Sequence, residues 1–426
     1  MTHLCIFEDD QVEHLRPLVD LRAVYQLRPG IRTLLEAIRT LLPSCPLVLH
    51  ARKDVASIAA TATGWPAGPP PGEVAVVFVN GRLIAEEGPV LERIKTLFAP
   101  EAGEQTLVQD GVLVAAKQRR VDARLFECPA IGLDAFPGAR AYPVDGARFV
   151  RRHWHVIDEI RAALVRDAAV CARDTQTWHP LPETLAEGVV AAGRENILVA
   201  DPVRIMPGVI LNATNGPIVI DEHATIMEGS ILRGPLYIGP RSTVKALAEL
   251  EGCSIGPGCK VGGEVQDVIL HAHANKGHAG FLGHSYIGKW CNLGAGTTVS
   301  NLRNDYGEVS LYNMHLGRYE PSGRQFLGVI MADHTKTGIQ SMINTGSVFG
   351  VSCNLFGAGY MDRYAPSFSW GGPERGFVPY RIDKALRVAE MVMARRSLDM
   401  TEDERMRLIA LYRSEHPQLI DAPAPG

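Results

Sequence analysis

One short stretch of the chain holds the best candidate for catalysis. Residues 273–284 read HANKGHAGFLGH, where His278 is flanked by Gly277, Ala279 and Gly280. Because these neighbours lack bulk, a substrate can approach both the imidazole and the backbone N–H groups. An imidazole can take a proton from an amine or hydroxyl nucleophile near neutral pH, and N–H groups stabilise a developing oxyanion. The stretch therefore favours acyl transfer from a thioester, and a structural histidine in a glycine-rich turn is the alternative.

The surrounding region repeats every six residues. Aliphatic residues recur at this interval as Ile220, Ile226, Leu232, Ile238 and Val244, then Ile255 and Val261, then Ile287, Leu293 and Val299. A helix would smear this period around its circumference, whereas a short strand and a tight turn keep every such residue pointing inward. The spacing predicts a hexapeptide β-helix, whose coils stack at about the ~4.8 Å inter-strand spacing.

Two interruptions break this repeat, at 263–286 and at 300–326. Loops that leave a rigid scaffold are frequent places for chemistry, because the scaffold fixes their ends. His278 lies in the first interruption. The repeat resumes with Ile339, Thr345 and Val351.

The N-terminal part has a different pattern. Short apolar stretches (LCIF, PLVLHA, VAVVFVNG, TLVQDGVLVAA) alternate with helix-spaced segments such as 34–42, which predicts an α/β domain at 1–148. A helical connector is expected at 149–195, the β-helix at 196–372, and helices with a tail at 373–426. Thr401 and Glu404 form a capping box for one of these helices, and the tail DAPAPG is expected to be disordered.

Composition limits the classes of partner. The chain has 43 Lys and Arg against 47 Asp and Glu, a formal charge of −4, so neither nucleic acid nor a membrane surface is expected to bind. No segment approaches the roughly 18 apolar residues of a membrane span, and the N-terminus lacks a signal-peptide pattern. Eight cysteines without a CxxC pair suit a reducing compartment. These features predict a cytoplasmic protein.

The histidines also raise the question of a metal site. His273 and His278 have H-x4-H spacing, and His271 and His284 lie close by. Hexapeptide β-helices include a carbonic anhydrase class that binds zinc between subunits, with a third ligand from a coil further upstream. There, 235–239 reads PLYIG without a histidine, and His223 is out of register. We therefore expect no metal at these residues, and a metal-dependent enzyme remains an alternative.

Several segments resemble a known family. NKGHAGFLGHSYIGKWCNLGAGTTVSNLRNDYG at 275–307 resembles the acetyltransferase half of the GlmU family, the bifunctional glucosamine-1-phosphate acetyltransferases and N-acetylglucosamine-1-phosphate uridyltransferases. The stretches 6–38, 332–359 and 367–372 resemble a divergent sugar nucleotidyltransferase branch of that family. The resemblance implies a left-handed parallel β-helix that forms a homotrimer and binds acetyl-CoA and a sugar phosphate between subunits.

The resemblance also implies roles for individual residues. His278 stands at the general base of the family motif GH-x-x-[YF]-LG, and Phe281 stands at its aromatic position. The usual lysine three residues before the histidine is replaced by Asn275, and Lys276 follows one place later. The expected substrate contacts are Lys276, Phe281, Asn292, Asn301 and Arg303.

The N-terminal resemblance implies a nucleotide site. Sugar nucleotidyltransferases carry a G-x-G-T-R loop followed by P-K, and an aspartate that holds Mg²⁺. Arg22 and Arg28 have about the spacing of that arginine and lysine, and Asn80 in FVNG stands where the aspartate is expected. We therefore expect Arg22, Arg28 and Asn80 to bind a nucleotide triphosphate, with weak Mg²⁺ binding because an amide is a poorer ligand than a carboxylate. A solvated arginine face is the alternative.

Three functions stay open at this point. The first is an acetyl-CoA-dependent N-acetyltransferase acting on an amino-sugar phosphate, joined to a nucleotidyltransferase-like domain. The second is a sugar-1-phosphate nucleotidyltransferase whose β-helix is purely structural. The third is a metal-dependent, carbonic-anhydrase-like enzyme.

Overall fold

The structure, a computed structural model, describes residues 2–419. The predicted tail DAPAPG lies outside the described residues. The chain divides into two compact units, one formed by residues up to 27 with 32–153, the other by 28–31 with the residues from 154 onward.

The first unit contains a six-stranded sheet. Its strands, in spatial order, are Leu47–Leu49, His3–Phe7, Val76–Asn80, Val112–Gln118, Gln105–Gln109 and Arg140–Pro143. The first three run parallel, and Val112–Gln118 is antiparallel to both of its neighbours. The carboxyl ends of the three parallel strands therefore share one edge, where α/β sheets commonly bind ligands.

Both units contain α-helices. Their bounds are Leu34–Leu41, Lys53–Thr63, Pro89–Thr96, His153–Asp158, Ile160–Cys171, Ile382–Ala394 and Glu402–Glu415. The capping box predicted for the last helix is present, since Thr401 Oγ1 accepts a hydrogen bond from Glu404 N at 3.2 Å. Among the described helices, none is both long and apolar enough to cross a membrane.

The second unit is a parallel β-helix built from three sets of stacked strands. The first set is Arg204–Ile205, Thr225–Ile226, Thr243–Val244, Lys260–Val261, Asn275–Lys276, Lys336–Thr337, Asn354–Leu355 and Ser369–Gly372, with Gly376–Pro379 antiparallel to the last. The second set is Ile197–Val199, Ile218–Ile220, Leu236–Ile238, Ser254–Ile255, Glu264–Leu270, Phe281–Ile287, Val329–Met331, Ser347–Phe349 and Tyr364–Ala365, with His179–Pro180 antiparallel at its start. The third set is Val190–Ala192, Ile210–Asn212, Ile231–Arg233 and Glu249–Glu251, which pair onward with the first halves of Glu264–Leu270 and Phe281–Ile287. Thr298–Val299 and Met342–Ile343 form a further parallel pair.

The hydrophobic ladder inside this helix follows the predicted repeat. All ten aliphatic residues that recur at intervals of six between Ile220 and Val299 are buried in one continuous core. After the second interruption the predicted register is wrong. Ile339 is 76% exposed, and Ile343 points inward instead. The reason is that Thr337 occupies the inward position six residues before Ile343. Thr337 is polar, so a pattern of apolar residues does not reveal this position.

The two interruptions have different structures. The first contains two long strands, Glu264–Leu270 and Phe281–Ile287. The first half of each strand pairs within the third set, and the second half pairs within the second set. The second contains an antiparallel hairpin of Val309–Asn313 and Arg318–Arg324.

The predicted α/β domain, β-helix and C-terminal helices are confirmed. Parallel pairing of the β-helix begins at Val190–Ala192 and Ile197–Val199, so the expected connector already contains the start of the first coil.

Candidate active site

His278 lies in a turn at one corner of the β-helix. The turn 277–280 joins strand Asn275–Lys276 to strand Phe281–Ile287, and the His278 side chain is exposed. Within residues 2–419 no group hydrogen-bonds to its ring. Gly280 has φ +118°, and a Cβ there would lie 2.2 Å from the carbonyl oxygen of Thr297. Glycine is therefore required at this turn, which leaves the imidazole uncrowded.

A buried lysine supports this turn from inside the coil. Lys276 is paired in register with Val261, in the inward ladder position, and is 1% exposed. Its Nζ donates hydrogen bonds to the carbonyl oxygens of His278 at 2.6 Å and Gly262 at 3.1 Å. Burial lowers the pKa of Lys276 to about 8. This placement is at odds with the predicted contact between Lys276 and substrate, because the ammonium faces the interior.

Lys276→Met tests this internal role through pH. The folded-state pKa of about 8 lies below the ordinary 10.5, so between these values the unfolded chain binds more protons than the folded one. The free energy of unfolding of the wild type should therefore rise with pH in this window, relative to Lys276→Met. Urea unfolding of both proteins from pH 7 to 10 measures the difference. A difference that does not change with pH contradicts a buried, titrating ammonium.

Two other predicted residues meet beside the turn. A Cβ at Gly283 would lie 2.5 Å from Asn301 Nδ2 and 2.6 Å from Phe281 Cζ, so both side chains converge over this glycine. They line a groove of about 820 Å³ that also includes Thr298, Ile339 and Tyr360. The structure thus brings Phe281 and Asn301 together, next to the strand end that follows His278.

Gly283→Ala should separate these two groups without breaking the fold. The clashing atoms are side-chain ends that can move, and Gly283 does not have a positive φ. We expect kcat/KM for acyl transfer to fall on the order of 10- to 100-fold, because small misplacements of contacting groups are costly in rate. The thermal midpoint should change little. Gly103→Ala is the matched control, since a Cβ there meets nothing within 4 Å.

Asn292 and Arg303 lie apart from this pair. Asn292 bridges strands Asn275–Lys276 and Lys336–Thr337, and its Oδ1 accepts a hydrogen bond from Asn275 Nδ2 at 2.6 Å. Asn292 therefore lies on the other side of the His278 corner from Asn301. Arg303 is exposed, and its Nε donates to Asp305 Oδ1 at 2.8 Å.

The nearby histidines do not form a ligand set for a metal. The His273 ring stacks on Trp290 at 4.2 Å, and burial, followed by the charges of Lys289 and Arg396, lowers the pKa of His273 to about 4. His271 Nδ1 lies 2.7 Å from the hydroxyl of Tyr286. Across residues 2–419 there is no group of three His, Cys, Asp or Glu side chains that could hold an ion.

In the first unit, Asn80 is occupied by internal hydrogen bonds. Its Nδ2 donates to Asp9 Oδ2 at 2.8 Å and to Leu113 O at 3.0 Å, and its Oδ1 accepts from Arg82 N at 2.9 Å. Arg82 Nε donates to Asp9 Oδ1 at 2.7 Å, which neutralises that carboxylate. These residues do not fit a Mg²⁺ site, because Asn80 is fully buried and the carboxylate of Asp9 is already paired with Arg82.

The two predicted nucleotide-binding arginines, Arg22 and Arg28, lie in different units of the chain. Arg22 is 1% exposed, so the alternative of a solvated face is wrong for it. Arg28 belongs to the second unit, where its Nη1 donates to the carbonyl oxygen of Ile31.

Sequence reasoning missed a second buried ion pair at the same sheet edge. Glu8 Oε2 accepts hydrogen bonds from Arg52 N at 2.9 Å and Arg52 Nε at 3.1 Å, and Glu8 Oε1 accepts from Val24 N at 2.7 Å. Burial is the largest single influence and lowers the pKa of Arg52, but Glu8 and further nearby carboxylates together raise that pKa above its usual value. The available signal was the acidic run EDD directly after the first strand.

Comparison with known proteins finds one family model and several bifunctional relatives. Residues 4–176 match the model of the sugar nucleotidyl transferase family. A bifunctional sugar-1-phosphate nucleotidylyltransferase/acetyltransferase of Sulfurisphaera tokodaii is 32% identical over 155 residues, 35% of this chain and 37% of the relative. The bifunctional protein GlmU of Methylococcus capsulatus is 29% identical over 242 residues, 54% of this chain and 50% of the relative. The chain thus spans between about a third and a half of the length of these two relatives.

Solved structures share only a distant likeness. The polySia specific acetyltransferase NeuO is 12% identical with a TM-score of 0.25, over 50% of this chain and 94% of that one. The N-acyltransferase AntD from Bacillus cereus, in complex with dTDP and 3-hydroxybutyryl-CoA, is 16% identical with a TM-score of 0.22, over 50% and 92%. Superpositions this distant carry no argument about ligands. In sequence, the chain is thus similar to bifunctional GlmU proteins, and its residues 4–176 match the model of the sugar nucleotidyl transferase family.

Proposed function

We propose that this chain transfers an acetyl group from acetyl-CoA to the amine of an amino-sugar phosphate of the glucosamine-1-phosphate type. The observation that carries the proposal is the exposed, uncrowded imidazole of His278 in the turn that leads into Phe281, which lines a groove together with Asn301. Its relatives named as nucleotidylyltransferase/acetyltransferases support the same reaction.

The geometry suits direct transfer without a covalent enzyme intermediate. The substrate amine attacks the thioester carbonyl carbon while His278 takes a proton from the nitrogen. Backbone N–H groups of the turn 277–280 donate hydrogen bonds to the oxyanion that forms. The carbon–sulfur bond then breaks, the thiol leaves with the proton from the imidazolium, and the amide product remains. Asn301 and Phe281 orient the acyl group, and Asn292 and Arg303 are assigned to the sugar side.

We also propose a homotrimer in the cytoplasm. A neighbouring copy would close the groove, which is open to solvent in a single chain. All eight cysteines are free thiols, and most are buried, which suits a reducing compartment.

Thiol release measures the proposed reaction. The wild type should release coenzyme A from acetyl-CoA when glucosamine 1-phosphate is present. The same mixture with N-acetylglucosamine 1-phosphate, which lacks a free amine, should stay at the rate of hydrolysis. Equal rates with both sugars contradict transfer to an amine.

Sugar-1-phosphate nucleotidyl transfer is the second candidate. The match of residues 4–176 to the nucleotidyl transferase family favours it, whereas the engaged amide of Asn80 does not. Pyrophosphate release from UTP, Mg²⁺ and a sugar 1-phosphate tests this candidate. Release without any acyl transfer would make the nucleotidyl reaction the function and the β-helix a scaffold.

A further inference from the structure

A row of polar contacts leads to the amide of Asn301. Arg161, on helix Ile160–Cys171, donates from Nε to Asp267 Oδ1 at 2.6 Å and from Nη2 to Asp267 Oδ2 at 3.2 Å. Asp267 Oδ2 lies 3.5 Å from His284 Nε2. His284 Nδ1 in turn lies 2.9 Å from Asn301 Nδ2. The imidazole of His284 therefore stands between a carboxylate and the amide that faces the groove.

The partners of His284 determine its protonation. Asn301 Nδ2 is a donor, so His284 Nδ1 must accept, and a neutral ring then carries its proton on Nε2. That proton faces the carboxylate of Asp267, which agrees with the same tautomer. A second proton on Nδ1 would turn this acceptor into a donor that faces another donor.

The backbone aligns the acid with the imidazole. Gln266 pairs with Gly283 and Val268 with Ser285, so Asp267 and His284 occupy the same corner in successive coils. The preceding coil has Gly252 at this corner, where a Cβ would lie 2.4 Å from Asp267 Oδ1 and 2.9 Å from Arg161 Nη2. The ion pair of Arg161 and Asp267 therefore requires glycine at position 252.

Solvent reaches His284 through a separate pocket. A cavity of about 350 Å³ is lined by His284, Phe326 and the charged side chains around them. The charges that face the ring are Asp267, Arg161 and Asp158, and Arg324 pairs with Asp158 at 2.7 Å. Burial is the largest influence and lowers the pKa of His284, the carboxylates of Asp267 and Asp158 oppose it, and Arg161 adds to it. The neutral ring is thus favoured near neutral pH.

We propose that His284 is a positioning residue that, as a neutral imidazole, holds the amide of Asn301 in the groove used for acyl transfer. This inference rests on the proposed function. It predicts that the position of Asn301, and not the proton transfer by His278, depends on His284.

Three substitutions test this hydrogen bond. His284 has φ +44°, a left-handed conformation that Asn adopts more readily than Gln or Phe, so the thermal midpoint of each variant is measured beside its kinetics. His284→Asn places an oxygen acceptor at the position of Nδ1, whereas the amide of His284→Gln reaches the position of Nε2. His284→Phe keeps only the stacking on Phe326, whose ring centroid lies 5.4 Å from that of His284 in the wild type. We expect kcat/KM for acetyl-CoA to fall about tenfold in the Gln and Phe variants, as for the loss of one hydrogen bond. The Asn variant should stay within about twofold of the wild type. Equal losses in all three variants overturn the proposal.

A double-mutant cycle shows whether His284 acts through Asn301. Asn301→Ala alone and Asn301→Ala with His284→Phe should have the same kcat/KM, because the amide to be held is already gone. A further loss in the double variant means that His284 acts by another route, which overturns the proposal.

A crystal structure of His284→Phe decides the matter independently of activity. The Asn301 amide should rotate or leave its place, and an unchanged amide overturns the inference. If the wild type releases no thiol with any amino sugar phosphate, the proposed function is wrong. The crystal structure of His284→Phe still tests whether His284 positions the amide of Asn301.

Discussion

His278→Ala is expected to lower the rate of coenzyme A release by about 10²- to 10⁴-fold, the usual contribution of a general base. The loss should appear in kcat, since the ring removes a proton in the transition state and contributes little to ground-state binding. Thermal stability should not change, because the side chain is exposed and no described group hydrogen-bonds to it. Steady-state kinetics and a melting curve measure both effects.

Two controls sharpen this result. His179→Ala removes another exposed histidine from the same unit and should keep full activity. Free imidazole should restore part of the rate of His278→Ala, because the small side chain leaves room for it. A variant that keeps wild-type kcat rules out His278 as the general base.

Arg82→Met is expected to destabilise the first unit by about 3–5 kcal/mol, the usual result of removing one partner of a buried ion pair. Arg82 is 1% exposed, and it donates to both oxygens of Asp9 and to Val150 O at 3.1 Å. The variant leaves the carboxylate of Asp9 buried without its counter-ion, and Asn80 is then the remaining donor to it. Urea unfolding of the full chain should show the first unit unfolding at a lower concentration.

Removing both charges is the matched control. Arg82→Met combined with Asp9→Leu should recover most of the lost stability, because a buried ion pair is worth little more than apolar side chains of similar volume. Arg124→Met, which breaks the exposed pair with Asp122, should leave the transition in place. Unchanged stability in Arg82→Met would mean that this sheet edge admits water, and a ligand with it.

The β-helix shows which features a residue pattern predicts and which it does not. The interval of six residues predicted the inward ladder from Ile220 to Val299, since apolar burial needs only the side-chain type and its spacing. The same reasoning misplaced Ile339, because Thr337 occupies an inward position by hydrogen-bonding inside the coil, where its Oγ1 meets Thr297 Oγ1 at 2.9 Å.

By itself, the sequence determined the two kinds of architecture, the glycine-rich turn that carries His278 and the similarity to GlmU proteins. Only the tertiary structure decided where polar side chains point: Lys276 into the coil, Asn80 and Asp9 toward Arg82, and Asp267 and His284 toward Asn301. The physical reason is that apolar burial depends on a local repeat, whereas a buried polar group depends on partners from distant coils or strands. Those partners become neighbours only when the chain has folded.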